Sequence, residues 1–368
     1  MGIRRGSLEV LEVRADFWEG RRVLLTGHTG FKGSWLALWL ARLGADVIGF
    51  AQVPPTEPAL FELARIGELV EDRRGDVCRL DLVSATFQSA RPEIVLHLAA
   101  QPLVRASYRD PVRTYATNVM GTLHVLEAAR HTETVRVVVN VTSDKCYAGP
   151  SPPEGYREDD PKGGGDPYSS SKGCAELLTE AYRHSYLGDR VALASARAGN
   201  VLGGGDWGAE RLIPDVVRAQ LNGRPAMIRS PEAVRPWQHV LDPLSGYVLL
   251  AQRLWSEPEL AGGWNFGPPT TSIPVRDVLA RFERSWGTPI RWDTTNEEHP
   301  PEAAVLQLNS EKARSQLGWA PRWDLDQTLA ATAAWYRAVA DGDDARDTCL
   351  RQIQTYEETN VAAQIAQR

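Results

Sequence analysis

The stretch "RVLLTGHTGFKGSWLALWLARLGADVIGF", which starts at Arg22, constrains the fold more than any other part of the chain. It reads as a short buried strand, a glycine-punctuated turn, a helix ending at Gly44 and a second strand. Gly27, Gly30 and Gly33 follow a G-x-x-G-x-x-G spacing, with Thr29, Phe31 and Lys32 between them. That differs from the G-x-G-x-x-G of ordinary dinucleotide dehydrogenases, but the physical logic is shared. Glycines permit a tight turn and a close approach of backbone to a pyrophosphate, which sits on the helix N-terminus. A merely tight turn would also use glycine. The position between strand and helix is what points to a dinucleotide.

The alternation continues downstream. "EIVLHLAAQP" (93–102) is a buried strand that runs into Ala99 and Ala100, small residues that leave room for something flat. Asp110 to Arg130 reads as one long helix, and a further strand follows at 135–142. The fold class is therefore α/β, a Rossmann-type doubly wound parallel sheet. In such sheets ligands bind at the carboxyl ends of the strands.

At that end of the strand beginning at Val135, "VRVVVNVTSDKCY" changes from branched apolar residues to Thr142, Ser143, Asp144 and Lys145. Polar loop residues end many strands, so an adjacent acid and base are not by themselves a site. The next piece, "DPYSSSKGCAELLTEAYRHSY" (166–186), places Tyr168 and Lys172 four apart on one helix face. An ammonium beside a phenol favours the phenolate, from an ordinary value of about 10. That would make Tyr168 a usable base for a hydroxyl. An exposed helix pair has the same spacing, and the glycine turn upstream is what favours chemistry.

Bulk properties narrow the partners. The 368 residues carry a net charge of −6, which gives no reason to expect nucleic-acid binding and requires local positive charge for an anionic substrate. Cys78, Cys146, Cys174 and Cys349 show no CxxC or Cys/His spacing, so neither a metal site nor a disulfide framework is expected, and a cytoplasmic setting is. The N-terminal "MGIRRGSLEVLEVRADFWEG" contains acids and lacks an apolar core, unlike a signal peptide. The longest greasy stretch, Trp35 to Leu40, is far too short for a membrane span.

The segments "TGHTGFKG", "HLAAQP", "TSDKCY", "YSSSK" and "RAGNVLGGGDW" resemble the extended short-chain dehydrogenase/reductase superfamily. Within it, "TSDKCY" and "RPWQHV" make the chain similar to the CDP-glucose 4,6-dehydratases from about residue 20 to about 355. Dehydratases of other bases usually carry Thr-Asp-Glu at the first of these. The resemblance implies an NAD-dependent hydro-lyase that acts on a nucleotide sugar, with CDP-glucose as the substrate. It implies that Tyr168 takes the 4-hydroxyl proton while NAD accepts the C4 hydride, which later returns to C6. Lys172 would hold the cofactor ribose and tune Tyr168, and Ser143 would bond the 4-oxygen. Asp144 would donate a proton to the departing C6 hydroxyl, and Lys145 would stand where relatives place the base for the C5 proton. A charged lysine cannot remove that proton, so Lys145 must act as the neutral amine or stabilise the enolate instead.

The same resemblance implies substrate contacts at Asn200, Arg211, Arg235, Trp237, His239, Glu298 and His299, although His239 reads equally well as a packed structural histidine. It implies cofactor contacts at the glycine turn, at Ala99 and Ala100, and at Asp76 with Val77 for the adenine. One departure concerns the second strand, which ends "IGFAQVPP" with no acid for the adenosine 2′-hydroxyl, while Lys32 could tolerate a 2′-phosphate. NAD remains the expectation, because a cofactor regenerated in place need not exchange with the NADPH pool.

Residues 20–200 are expected to form the dinucleotide domain, with a return segment near 236–260, and 201–345 a smaller C-terminal α/β substrate domain. The tail 346–368 is polar with a possible helix at 346–358. The Pro/Gly-rich 149–167 lies between two catalytic pieces and reads as an active-site loop. Helices 110–130 and 169–186 carry surplus apolar surface, and the superfamily pairs them in a homodimer. Two other readings stay open: a sugar-nucleotide 4-epimerase, which has no use for Asp144 and Lys145, and a non-catalytic dinucleotide-binding protein.

Overall fold

Val23, Leu24 and Leu25 are fully buried at the centre of strand β1 (Arg22–Thr26), and the rest of the sheet is laid down around them. The computed structural model describes residues 13–188, 190–268, 273–294 and 306–359. The further strands of the main sheet are β2 (Asp46–Ala51), β3 (Glu71–Arg74), β4 (Ile94–His97), β5 (Val137–Val141), β6 (Ala192–Ala198) and β7 (Gly263–Phe266). They form one parallel seven-stranded sheet in the order β7-β6-β5-β4-β1-β2-β3, the doubly wound sheet expected. The chain winds outward from β1 to β3, then returns to the other side of β1 with β4. The order therefore reverses between β1 and β4, where open α/β sheets leave a crevice for ligands.

Alternation decides which face each residue serves. Val23, Leu25, Val137 and Val139 pack on one side with helix α1 (Phe31–Arg42), while Leu24, Val95 and Val138 pack on the other. Helix α1 is buried from Gly33 to Leu40, as expected of a helix apolar on nearly all sides. It ends where Gly44 takes φ +83°, a left-handed conformation that glycine adopts without steric cost. On the second face lie α2 (Leu80–Ala90), α3 (Gly121–Arg130) and α4 (Pro167–Tyr182).

The long helix read over 110–130 is interrupted. Asp110 caps Pro111–Tyr115 by accepting from Arg113 N, and a π-helical turn, Ala116–Met120, precedes α3. A second π turn, Arg183–Leu187, follows α4. Beyond β6 the chain forms α5 (Leu212–Leu221), then returns as α6 (Leu241–Ser256), which packs against β5 and β6 before β7 joins the sheet edge. Helices α7 (Val275–Trp286), α8 (Leu325–Ala340) and α9 (Ala345–Glu358) complete the far side. Among the described residues, no helix is long and apolar enough to cross a membrane.

Candidate active site

The glycine turn closes against the mouth of β4. Gly27, at φ +78°, lies so near Ala99 that an added Cβ would meet its amide nitrogen at 2.7 Å. A Cβ on Gly33 would stand 2.0 Å from the Gly27 carbonyl oxygen, so helix α1 and the turn touch backbone to backbone. Thr26 Oγ1 accepts from the amides of Leu98 and Ala99 at 3.2 Å and fixes the seam. Gly30 is the N-cap of α1 and offers no side chain to its first amides. Uncapped amides at the positive end of a helix dipole, beside a surface without Cβ atoms, form a cradle for a pyrophosphate.

Beyond β2 the position of the usual acid is held by Gln52. Its Nε2 donates to Asp76 just past β3, and its Oε1 accepts from Arg113 Nη2 at 3.3 Å. Thr29 Oγ1 donates to the Gln52 carbonyl at 3.0 Å. The carboxylate absent from β2 is thus brought to the same place from β3. Asp76 Oδ1 also accepts from Cys78 N at 2.9 Å, and Val77 is buried against Gly121.

At the end of β5 the backbone turns through a short 3₁₀ segment, Asp144–Cys146, which Ser143 caps by accepting from Lys145 N. Ser143 Oγ donates to Asp144 Oδ1 at 3.0 Å, and Lys145 Nζ lies 3.5 Å from the same oxygen. Asp144 is 1% exposed, and its Oδ2 is buried with no hydrogen-bond partner among the described residues. Gly199 beyond β6 makes room for that oxygen, since a Cβ there would come within 2.9 Å of it.

Helix α4 begins at an Asp166 cap with Pro167 in its first turn, which sets Tyr168 facing this strand end. The Tyr168 phenol hydrogen-bonds with Ser143, and burial pushes its pKa up to about 12, against the pull of that bond. Lys172 Nζ donates to the Val141 carbonyl at 3.4 Å, and burial lowers its pKa to about 8 although Glu176 pulls it back up. Spacing alone suggested that Lys172 lowers the phenol. Burial instead dominates both groups, and the charges that act on Tyr168 are those of Asp144, Arg211 and Asp166.

A buried network behind this site was not read from the sequence. Glu176, one turn beyond Lys172 on α4, pairs with Arg197 of β6 at 2.5 Å and accepts from Ser195 Oγ at 2.7 Å and from Thr142 Oγ1. Arg197 Nη1 donates to the Tyr147 hydroxyl at 2.7 Å, which donates to Asn265 Oδ1 of β7 at 2.6 Å. Burial would raise the Glu176 carboxyl, but Arg197 and the two hydroxyls hold it below the ordinary range. The signal was present: one arginine in the otherwise small and apolar "ALASARA".

The remaining expected contacts come from several elements beyond β6. Arg211 Nη1 is held by both oxygens of Asp206 at 2.9 Å, and its charge reaches Tyr168 and Lys32. The backbone oxygen of Asn200 accepts from Gln238 N at 3.3 Å. Arg235 is buried and donates to the Val234 carbonyl at 2.9 Å. His239 is enclosed between Trp35 and Trp323, at ring distances of 6.2 and 4.6 Å, and burial drives its pKa down to about 3. Packing aromatics thus surround His239, and its Nε2 is buried with no hydrogen-bond partner among the described residues. Trp237 is buried with its indole nitrogen unpartnered among the described residues. Glu298 and His299 lie outside the described residues. Burial lowers the Lys32 pKa to about 8, with the charges of Arg211, Lys172 and Lys145 acting the same way and that of Asp144 against them.

The model of the NAD dependent epimerase/dehydratase family matches residues 23–260. The chain belongs to that family. It is 48% identical over 349 residues to the CDP-glucose 4,6-dehydratase of Salmonella typhimurium, covering 93% of this chain and 97% of that protein. Its fold is similar to that of the UDP-glucose 4-epimerase of Thermus thermophilus in complex with NAD, with TM-score 0.73 and 26% identity over 86% of this chain and 99% of the other. The dTDP-glucose 4,6-dehydratase of Bacillus anthracis, also in complex with NAD, shares the fold at TM-score 0.72 and 22% identity, over 88% and 98% of the two chains.

The cradle of this family member fits NAD. Gly27 and Gly33 clear the path of the pyrophosphate, uncapped amides face it, and Asp76 stands at the adenosine end. Among the described residues no cluster of His, Cys, Asp or Glu is arranged to hold a metal ion.

Proposed function

We propose that the protein is an NAD-dependent nucleotide-sugar 4,6-dehydratase that converts CDP-glucose to CDP-4-keto-6-deoxyglucose. The observation that carries this reading is the adjacency of Asp144 and Lys145 on the strand end that meets Tyr168. A 4-epimerase must only oxidise and reduce C4, and has no use for an acid–base pair beside that base. The likeness to the Salmonella typhimurium enzyme supports the nucleobase and the sugar.

NAD, held by the Gly27–Gly33 turn and Asp76, would supply reversible hydride oxidation and reduction at the sugar. Tyr168 removes the 4-hydroxyl proton, with Ser143 bonded to the same oxygen. The resulting ketone acidifies C5–H, which Lys145 removes as the neutral amine. Asp144 donates a proton to the hydroxyl that leaves from C6 as water. The active-site roles of Lys172, Arg211, Arg235, Asn200, Trp237, His239, Glu298 and His299 are carried by the family likeness, as is the division into a dinucleotide domain over 20–200 and a substrate domain over 201–345. The free cysteines, with Cys146 and Cys349 buried, accord with a cytoplasmic setting.

The test is incubation of the purified protein with CDP-, dTDP-, UDP- and GDP-glucose and a trace of NAD. CDP-glucose is expected to give the 4-keto-6-deoxy sugar, with many turnovers per NAD and no accumulating NADH. Conversion to the C4 epimer, with the C6 hydroxyl retained, would make the protein an epimerase. Stoichiometric NADH release would make it a simple dehydrogenase.

A homodimer joined through α4 and the helices over 110–130 is part of the reading. Leu177 and Tyr186 are 56% and 52% exposed, and Val112, Tyr115 and Met120 in the 110–130 stretch are 80%, 37% and 44% exposed. Light scattering is expected to give twice the chain mass, and Leu177→Lys to shift the protein toward monomer. A wild-type monomer at micromolar concentration would remove the dimer.

A further inference from the structure

Asp144 and Lys145 stand on a turn that does little to hold itself. Its internal bonds, from Lys145 N to Ser143 Oγ and from Cys146 N to the Ser143 carbonyl, are 3.2 and 3.3 Å long. A short 3₁₀ segment has poor hydrogen-bond geometry. Catalytic side chains must nevertheless be held to within about 0.5 Å. This turn is held from its two ends, and the two anchors meet in one buried ion pair.

At the near end, α4 grips the strand directly. Tyr168, Lys172 and Glu176 follow one another at four-residue spacing on one buried face. Lys172 donates to the Val141 carbonyl, and Glu176 accepts from Thr142 Oγ1. Tyr168 and the Ser143 bonded to it are therefore set by the seam between α4 and β5. At the far end, the ring of Tyr147 stacks on Tyr156, with centroids 4.5 Å apart and planes 6° from parallel. Its hydroxyl accepts from Arg197 Nη1 at 2.7 Å and donates to Asn265 Oδ1 at 2.6 Å. A guanidinium only donates, so the direction of both bonds is fixed. Arg197 is the partner of Glu176, so the same pair takes Thr142 before the turn and Tyr147 after it. A buried chain of satisfied polar groups is rigid.

We propose that Tyr147 is a positioning residue for the elimination step. Its hydroxyl, hung between Arg197 and Asn265, fixes the far end of the turn and so aims Asp144 and Lys145. Oxidation at C4 depends instead on the groups that α4 holds at the near end. The inference rests on the dehydratase reading of the same site.

The test compares wild type, Tyr147→Phe and Tyr156→Phe, loaded with NAD and assayed below their unfolding temperatures. Tyr147→Phe removes the hydroxyl and keeps the ring on Tyr156. Tyr156→Phe is the matched change on the other ring of the stack: it removes that hydroxyl's bond to the Gly149 carbonyl at 2.6 Å and leaves Tyr147 tethered. After rapid mixing with CDP-glucose, reduction of bound NAD reads oxidation. Exchange of the C5 hydrogen with solvent deuterium and formation of the 4-keto-6-deoxy product read elimination. The deciding quantity is the ratio of elimination to oxidation, because unfolded molecules contribute to neither and a merely structural loss leaves it unchanged. Tyr147→Phe is expected to oxidise C4 near the wild-type rate while exchange and product slow about 10²-fold, the cost of a misplacement of roughly 1 Å. Reduced cofactor should then build up on the enzyme. Tyr156→Phe is expected to keep the wild-type ratio. An unchanged ratio in Tyr147→Phe overturns the proposal. A ratio that falls as far in Tyr156→Phe also overturns it, since the effect would then belong to the stacked loop and not to the hydroxyl. A wild type that makes no 4-keto-6-deoxy product from any nucleotide sugar overturns the dehydratase reading, and this inference with it. A wild type that makes the product while Tyr147→Phe matches it in both steps overturns this inference alone.

Discussion

Tyr168→Phe is expected to slow C4 oxidation by roughly 10²–10⁴-fold, the usual contribution of a positioned proton-transfer group. The fold should survive. The phenyl ring keeps its packing at a position only 7% exposed, and one hydroxyl with its bond to Ser143 is lost. A single such bond is worth about 1 kcal/mol. Substrate affinity is expected to stay near wild type, because the hydroxyl acts on the proton in flight more than on the bound sugar. In the protein alone the phenol is pushed up to about 12, so binding of cofactor and substrate must bring the phenolate into reach. Rapid mixing of the NAD-loaded variant with CDP-glucose reads oxidation, and calorimetry reads affinity. Oxidation at the wild-type rate would assign the base to another residue.

Arg197→Met is expected to destabilise the protein by about 3–5 kcal/mol, the cost of leaving a buried charge without its partner. Glu176 would remain enclosed with only Thr142 and Ser195 as donors. The effect has a pH signature. In wild type the Glu176 carboxyl is held below its unfolded value, so its contribution is present above the unfolded value and is lost as pH falls through the folded one. Without Arg197, burial wins and the folded value rises above the unfolded one, so acidification then favours the folded variant. The stability gap should therefore narrow as pH falls. The double variant Glu176→Gln/Arg197→Met should recover much of the loss, since a neutral pair strands no charge. Urea unfolding across pH measures all three, and a gap that stays constant on acidification would show that Glu176 is not the stranded group. Because Thr142 immediately precedes Ser143, the variant should also lose activity in proportion to how far the strand end loosens.

The π turns show where local reading fails. Nothing in the spacing of "DPVRTYATNVMGTLHVLEAAR" marks the extra residue at 116–120, because the helical period on either side stays intact. Within this irregular stretch Asn118 takes Gln101 N at 2.8 Å and gives a bond to Ser171 Oγ on α4 at 2.9 Å. Those partners lie 17 and 53 residues away in sequence.

What the sequence by itself determined is the part of this protein built from short-range rules. The glycine turn, the strand ending in Ser143–Asp144–Lys145 and the Tyr168–Lys172 spacing each lie within a dozen residues. Steric permission, strand alternation and the helical period act over that length. Tertiary structure alone decided how those pieces serve each other. It buried Tyr168 and Lys172 so that desolvation outweighs their mutual charge. It brought Asp76, just past β3, to Gln52, just past β2, and set Arg197 of β6 against Glu176 of α4. Burial and charge pairing depend on which surfaces meet across a folded sheet, and no local pattern encodes that meeting.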